Sequence, residues 1–112
     1  MMKILTIIVS YNFEKWISRC LNSLKASSHP TDIIVIDNCS KDRTVEIIQK
    51  EYPQVRLIAN KANLGFGRAN NIGMQIAMKE GYDAVFLLNQ DAWIGNDTLA
   101  VLAAQAVRHP EF

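Results

Sequence analysis

Three short polar segments contain the residue types that a binding site needs. Each follows an apolar run, and they are Ser10-Tyr11-Asn12, Asp37-Asn38 and Asn89-Gln90-Asp91. The Asp91 carboxylate, with Asn89 beside it, offers the hard oxygen ligands that Mg²⁺ or Mn²⁺ takes together with substrate phosphates. Asp37 and Asp91 in one cleft would repel each other unless a cation or donor groups were present. Asn and Asp also form ordinary turns, so it is the coincidence of three segments that predicts a site.

A cation at the start of a predicted helix gives a second indication. Arg68 falls in the first turn, where the helix dipole disfavours a positive charge by about 0.3–1 kcal/mol unless an anion lies nearby. The turn Gly65-Phe66-Gly67 before it would let the backbone approach a ligand closely. A dinucleotide-binding fingerprint would need a third glycine in place of Asn70 and a strand directly before the motif, and neither is present. Arg68 therefore predicts an anion site, with a solvated side chain as the alternative.

The elements that position these residues alternate along the chain. Apolar runs rich in β-branched residues predict strands at 4–9, 33–36, 55–59 and 84–88. Apolar residues at helical spacing predict helices at about 13–25, from an N-cap at Ser40 to Pro53, from Gly67 to Gly81, and at about 98–107.

Strand-helix units with crossovers of this length imply a parallel sheet. We predict a three-layer, mainly parallel α/β fold of the Rossmann-like kind, with strand order 3-2-1-4 and a single domain over residues 1–112. That order places the carboxyl ends of the first, second and fourth strands at one crevice, which is where ligands bind in such sheets. The three polar segments should therefore lie together.

Composition excludes several classes of protein. The chain has 12 Lys and Arg against 11 Asp and Glu, without a run of like charges, so no nucleic-acid partner is expected. Cys20 and Cys39 lack the spacing of a zinc or redox site, which favours a reduced, cytoplasmic compartment. The first apolar run is far shorter than the roughly 20 residues that span a bilayer.

Four motifs in order resemble family 2 of the GT-A glycosyltransferases. They are Val9-Ser10-Tyr11-Asn12, Ile34-Val35-Ile36-Asp37-Asn38 with Ser40 and Asp42, the stretch from Asn63 to Gly73, and Leu87-Leu88-Asn89-Gln90-Asp91. The resemblance spans residues 4 to about 94 of the chain. It implies the GT-A fold and binding of a nucleoside-diphosphate sugar.

The resemblance also implies roles for single residues. Tyr11, Asn12 and Asp37 would contact the nucleoside, and Arg68 would face the diphosphate. Asp91 would bind Mg²⁺ or Mn²⁺ as the last acid of a DxD-like element, with Asn89 on the ribose side. Asn89 replaces the usual acid, which puts strict metal dependence in doubt. The remaining substrate-binding positions are Ser10, Asn38, Gly65 and Gln90.

The implied reaction is an inverting transfer of a sugar from a UDP- or dTDP-linked donor to the hydroxyl of a saccharide acceptor, in bacterial surface polysaccharide synthesis. Such a transfer needs a general base, which we expect beyond residue 112 with the acceptor-binding half, so that this fragment binds donor without catalysing transfer. The full-length protein would be cytoplasmic or peripheral at the inner membrane. A homodimer through Trp93 and the last helix is also expected.

Three alternatives remain at this stage. A non-catalytic nucleotide-sugar-binding module would share every motif. A nucleotidyltransferase would need a Gly-rich loop with a Lys or Arg after the first strand, where the sequence reads Ser10-Tyr11-Asn12-Phe13. An inert scaffold would use the polar segments only as turns.

Overall fold

Strands and helices alternate without exception along the described chain. The structure is a computed structural model, and it describes residues 2–108. The elements in order are β1 (Ile4–Ser10), α1 (Ile17–Lys25), β2 (Asp32–Asp37), α2 (Thr44–Glu51), β3 (Arg56–Ala59), α3 (Phe66–Lys79), β4 (Ala84–Leu87) and α4 (Thr98–Arg108).

The four strands form one parallel sheet in the order β3-β2-β1-β4. In the centre, β1 pairs with β2 from Leu5 opposite Asp32 to Ser10 opposite Asp37, and with β4 from Ile4 opposite Ala84 to Ile7 opposite Leu87. The α/β class, the parallel sheet and the 3-2-1-4 order are confirmed.

Helices cover both faces of the sheet and form two cores. On one face Ile8 and Val35 pack with α1 and α2, and on the other Ile7 and Ile36 pack with Ala69 of α3. Successive residues of a strand point to opposite faces, so a strand between two helical layers must be apolar at nearly every position. The apolar run at residues 4–9 therefore predicted a strand in the centre of the sheet, where β1 lies.

Three local predictions were wrong. Helix α1 begins at Ile17 instead of residue 13, because Phe13 turns into the core, where it is fully buried and donates its backbone N–H to Thr44 Oγ1 at 2.8 Å. Ser40 does not cap α2, which begins at Thr44; Asp42 Oδ1 accepts the Thr44 N–H instead, at 3.0 Å. The ends of β1, β2, β3, β4 and α4 each differ from the predicted bounds by one residue.

Within residues 2–108, no helix combines the length and the apolar character that a bilayer crossing requires.

Helix α3 packs closely against the sheet at Gly73. A Cβ atom at this position would lie 2.8 Å from Cγ2 of Ile7, a side chain that is itself buried in the core. Such a contact is well below van der Waals separation, so glycine allows α3 to pack against β1. This packing helps to hold the Gly65–Phe66 turn near the tip of β1.

Gly73→Ala is expected to lower the free energy of unfolding by about 1–2 kcal/mol. Overpacking the core costs about 1–3 kcal/mol, and the higher helix propensity of alanine offsets up to about 1 kcal/mol of this cost. Gly67→Ala in the same helix is the matched control, since its Cβ would meet nothing within 4 Å. Urea denaturation of both variants measures the difference. Equal stability of the two would contradict the close contact.

Candidate functional site

A cavity of about 380 Å³ opens at the carboxyl ends of β1, β2 and β4. It is lined by Val9, Ser10, Tyr11, Trp16, Asn38, Asn63, Phe66, Asn89, Gln90 and Asp91. Six of the ten predicted site residues are therefore brought together: Ser10, Tyr11, Asn38, Asn89, Gln90 and Asp91. The other four, Asn12, Asp37, Gly65 and Arg68, do not line it.

The tip of β1 forms one wall of the cavity. Tyr11 is 39% exposed and presents its ring beside the buried Ser10. Asn12 has a positive φ of 52°, a left-handed conformation that asparagine tolerates better than most residues. Its backbone N–H donates to Ser40 Oγ at 2.8 Å and its Oδ1 accepts from Lys41 N–H at 2.9 Å. Asn12 thus ties the β1 tip to the loop after β2.

Asp37 lies beneath the site and is only 1% exposed. Its Oδ1 accepts hydrogen bonds from the hydroxyls of Ser10, at 2.7 Å, and Ser40, and its Oδ2 accepts the Ser40 N–H at 2.9 Å. The expectation that Asp37 and Asp91 share one cleft is corrected: Asp37 does not line the cavity, because three donors from Ser10 and Ser40 enclose its carboxylate. Direct contact of Asp37 with a base stays a prediction.

Asn38 organises the turn that leads into α3. Its Nδ2 donates to the Gly65 carbonyl at 3.1 Å, while its Oδ1 accepts from Asn60 Nδ2 at 3.1 Å and from the Leu64 N–H at 3.4 Å. Gly65 itself has a φ of 84°, which a residue with a Cβ rarely adopts. Asn38 and Gly65 together place the following Phe66 on the cavity wall, where it is 60% exposed.

The segment after β4 forms the adjoining wall. Asn89 and Asp91 are exposed and face the cavity, and a turn closed by the Ala92 N–H on the Asn89 carbonyl, at 3.0 Å, sets them on either side of Gln90. Gln90 Oε1 accepts the Tyr11 N–H at 2.9 Å and its Nε2 donates to the Tyr11 carbonyl at 3.1 Å.

Helix α1 supports this wall from behind. The Arg19 guanidinium lies 4.0 Å from the centroid of the Trp93 ring, and the Ile94 N–H donates to Ser23 Oγ at 3.1 Å.

Burial, with a smaller contribution from the Asp91 charge, raises the pKa of the Cys20 thiol to about 12. Cys20 is therefore a protonated core residue.

Arg68 is the third residue of α3 and is exposed. The helix has no acidic residue in its first turn, and the ion pairs found among residues 2–108 do not include Arg68. Its predicted place in the first turn of a helix is correct. Its role toward a diphosphate stays a prediction.

Four lining residues were not identified as site residues from the sequence: Val9, Trp16, Asn63 and Phe66. Trp16 fitted the apolar spacing of the first helix, but it lies before α1 begins and is half-buried beside the cavity. Phe66 lies between two glycines. An aromatic residue in such a turn, close to polar strand tips, could have indicated from the sequence that Phe66 lines the site. Aromatic rings at the walls suit a planar ligand group.

The donor groups suit a divalent cation that also binds phosphate. Asp91 supplies a carboxylate and Asn89 an amide oxygen, both exposed to the cavity. No cluster of three or more His, Cys, Asp or Glu side chains occurs in the part of the chain that the structure describes. Two oxygen ligands fit an ion such as Mg²⁺, which keeps several waters and takes further oxygens from a substrate phosphate.

Sequence comparison finds relatives with named activities. A profile of Glycosyl transferase family 2 matches residues 6–111. The chain is 32% identical over 115 residues to the poly(ribitol-phosphate) beta-N-acetylglucosaminyltransferase TarS of Staphylococcus aureus, which covers 97% of this chain and 20% of TarS. It is also 32% identical over 113 residues to the N-acetylglucosaminyl-diphospho-decaprenol L-rhamnosyltransferase of Mycobacterium tuberculosis, covering 93% of this chain and 37% of that protein.

Solved structures share the fold. TarS 1-349 from S. aureus in complex with UDP-GlcNAc matches with a TM-score of 0.78 at 31% identity, over 96% of this chain and 32% of that one. The mannosyltransferase PcManGT from Pyrobaculum calidifontis, in complex with GDP-Man and Mn2+, matches with a TM-score of 0.81 over 93% and 32%. At 22% identity the second likeness shows the fold alone. The chain thus spans between a fifth and about a third of these proteins.

Proposed function

The chain belongs to glycosyltransferase family 2, and from that premise we propose that its cavity binds a nucleoside-diphosphate sugar, with a divalent cation at Asp91, for transfer of the sugar to an acceptor hydroxyl. The observation that carries the proposal is the cavity itself. Polar tips of three parallel strands, three aromatic side chains and one exposed carboxylate line a volume of about 380 Å³. Sites for small molecules are typically clefts of about 300–1,000 Å³ with a few convergent polar groups.

The two walls suit the two ends of such a ligand. Tyr11, Trp16 and Phe66 offer aromatic surface for the base, and Asn38 adds a polar side chain at the floor. Asp91 and Asn89, on the adjoining wall, are proposed to face the diphosphate. Arg68, exposed on the first turn of α3, is proposed to add positive charge for the same phosphates.

A bound cation would neutralise charge on the diphosphate leaving group. The residues that hold it, Asp91 and Asn89, carry one formal negative charge between them, so affinity for the free ion should be low and should rise when nucleotide contributes its phosphate oxygens. This makes cooperative binding of cation and nucleotide the signature of the proposed site.

The donor and the acceptor are proposed from the relatives. TarS is described in complexes with UDP and UDP-GlcNAc, so we propose a UDP-linked donor before a dTDP-linked one. TarS and the rhamnosyltransferase are named for poly(ribitol-phosphate) and a decaprenol-linked sugar. A hydroxyl of a bacterial surface polymer or its lipid-linked precursor is the corresponding acceptor proposal, with the protein at the cytoplasmic face of the membrane.

Calorimetric titration with UDP, dTDP and GDP, each with and without Mn²⁺, tests the function. The expected result is binding of UDP that Mn²⁺ strengthens, with weaker binding of the other two nucleotides. Inorganic diphosphate with Mn²⁺ is the control for a site that recognises phosphate alone. If no nucleotide binds in the presence of Mn²⁺, the proposal is wrong for this chain.

A homodimer through Trp93 and α4 remains a proposal. Trp93 is 52% exposed, and Val101 and Leu102 of α4 are also exposed. Sedimentation at micromolar concentration would show a dimer if this surface pairs, and a monomer would contradict it.

A further inference from the structure

Gln90 makes a contact that a ligand-binding role does not explain. Its amide oxygen accepts the backbone N–H of Tyr11, and its amide nitrogen donates to the carbonyl of the same residue, at 2.9 and 3.1 Å. Both polar atoms of one side chain are thereby bonded to the backbone of a residue 79 positions away in sequence. We infer that Gln90 is a positioning residue that holds the two walls of the cavity at a fixed separation and so couples nucleotide binding to cation binding.

The contact lies just beyond the paired part of the two strands. The β1–β4 pairing ends with Ile7 opposite Leu87, and one further backbone hydrogen bond joins the Leu88 N–H to the Ile7 carbonyl at 3.1 Å. The chain after β4 then turns at residues 89–92. A glutamine amide carries a donor and an acceptor, as a peptide group does. Gln90 therefore extends the connection between the two segments where a β-ladder would otherwise stop.

The neighbours of this contact show why it concerns function. Tyr11 belongs to the wall proposed for the nucleoside, and Asp91, directly after Gln90, is the proposed cation ligand. A nucleotide whose diphosphate contacts both walls binds most tightly when the walls already have the correct separation. Ordering the two segments on binding would cost free energy. This inference rests on the proposed function. It adds that Gln90, without contacting the cation, determines how strongly the bound cation raises the affinity for the nucleotide.

Hydrogen exchange in the ligand-free chain tests the contact directly. Gln90→Met keeps the length of the side chain and removes both hydrogen bonds, and Gln49→Met, at an exposed position on α2, is the matched control. The amide of Tyr11 is expected to exchange about tenfold faster in Gln90→Met, given that each lost bond shifts an equilibrium several-fold. Unchanged exchange at Tyr11 would overturn the inference.

A binding cycle tests the coupling. UDP affinity is measured with and without Mn²⁺ for the wild-type chain and for both variants, and the ratio of the two affinities is the coupling factor. Gln90→Met is expected to reduce this factor about tenfold, as for an allosteric coupling of ordinary size, while Gln49→Met leaves it unchanged.

The two possible failures are distinguishable. If the wild-type chain shows Mn²⁺-dependent UDP binding and Gln90→Met retains the full coupling factor, the positioning role is overturned and the proposed function stands. If the wild-type chain does not bind UDP, the proposed function and the coupling are both overturned. Faster exchange at Tyr11 in Gln90→Met would then support only a structural contact.

Discussion

Asp91→Ala is expected to remove the gain in UDP affinity that Mn²⁺ gives the wild-type chain, a loss of at least about a hundredfold, since even residues that only support metal ligands cost about 10–100-fold when changed. Among the described residues that line the cavity, Asp91 is the one acidic side chain, and it is exposed. Its removal leaves the amide of Asn89 as the remaining oxygen ligand on that wall. Calorimetry with UDP, with and without Mn²⁺, measures the effect.

Two further variants make the Asp91 result specific. Asp97→Ala changes an exposed acid six positions on that does not line the cavity, and it should bind UDP and Mn²⁺ as the wild-type chain does. Asp91→Asn keeps an oxygen ligand without the charge and should fall between wild type and Asp91→Ala. Retention of the Mn²⁺ effect in Asp91→Ala would remove Asp91 from the cation site.

Asp37→Asn is expected to lower the free energy of unfolding by about 3 kcal/mol, because a hydrogen bond to a charged group contributes about 1.5–3 kcal/mol and a buried mispaired group costs more. The Asp37 carboxylate is 1% exposed and accepts from both the backbone and the hydroxyl of Ser40 and from Ser10. An amide of the same shape would direct an N–H group toward at least one of these donors. Urea denaturation measures the change.

Asp32→Asn is the matched control, at the other end of β2, where the carboxylate is exposed and accepts a hydrogen bond from the Tyr82 hydroxyl. A hydrogen bond contributes about 1 kcal/mol net, and at an exposed position water can replace it, so this variant should remain near wild-type stability. UDP affinity, measured on folded Asp37→Asn, separates the two roles of Asp37. Wild-type stability together with weakened UDP binding would favour direct contact with the base over support of the loops.

The sequence was sufficient to predict the architecture. A strand buried between two helical layers must be apolar on both faces, as the run in β1 is, and parallel pairing requires connections long enough for a helix, as these are. These local patterns predicted the parallel α/β class, and the 3-2-1-4 order predicted with it is the order that the structure shows. The same order predicted which strand tips would meet, and six of the ten proposed site residues do line one cavity.

Local patterns could not predict where α1 and α2 begin. Phe13 fits the apolar spacing of α1, yet its backbone N–H is taken by Thr44, 31 residues away, and the chain turns into the core before the helix starts. Ser40 fits an N-cap, yet its hydroxyl and N–H both donate to Asp37. Thr44 is 31 residues from Phe13, whereas Asp37 is only three residues from Ser40. In both cases a specific side-chain contact prevailed over the local helix-start pattern.

The sequence by itself determined the fold class, the family and the end of the sheet at which the site lies, because all three depend on residue type and order. Only the tertiary structure decided the direction of each polar side chain at that end. Asp37 and Asn12 turn toward the loop after β2, Gln90 pairs with Tyr11, and Asp91 faces the cavity. A polar side chain at a strand tip bonds the nearest suitable donor or acceptor. Asp37 bonds Ser40 three residues away, but it also bonds Ser10 at a distance of 27 residues in sequence, and Gln90 bonds Tyr11 at a distance of 79. Folding is what brings these distant partners near.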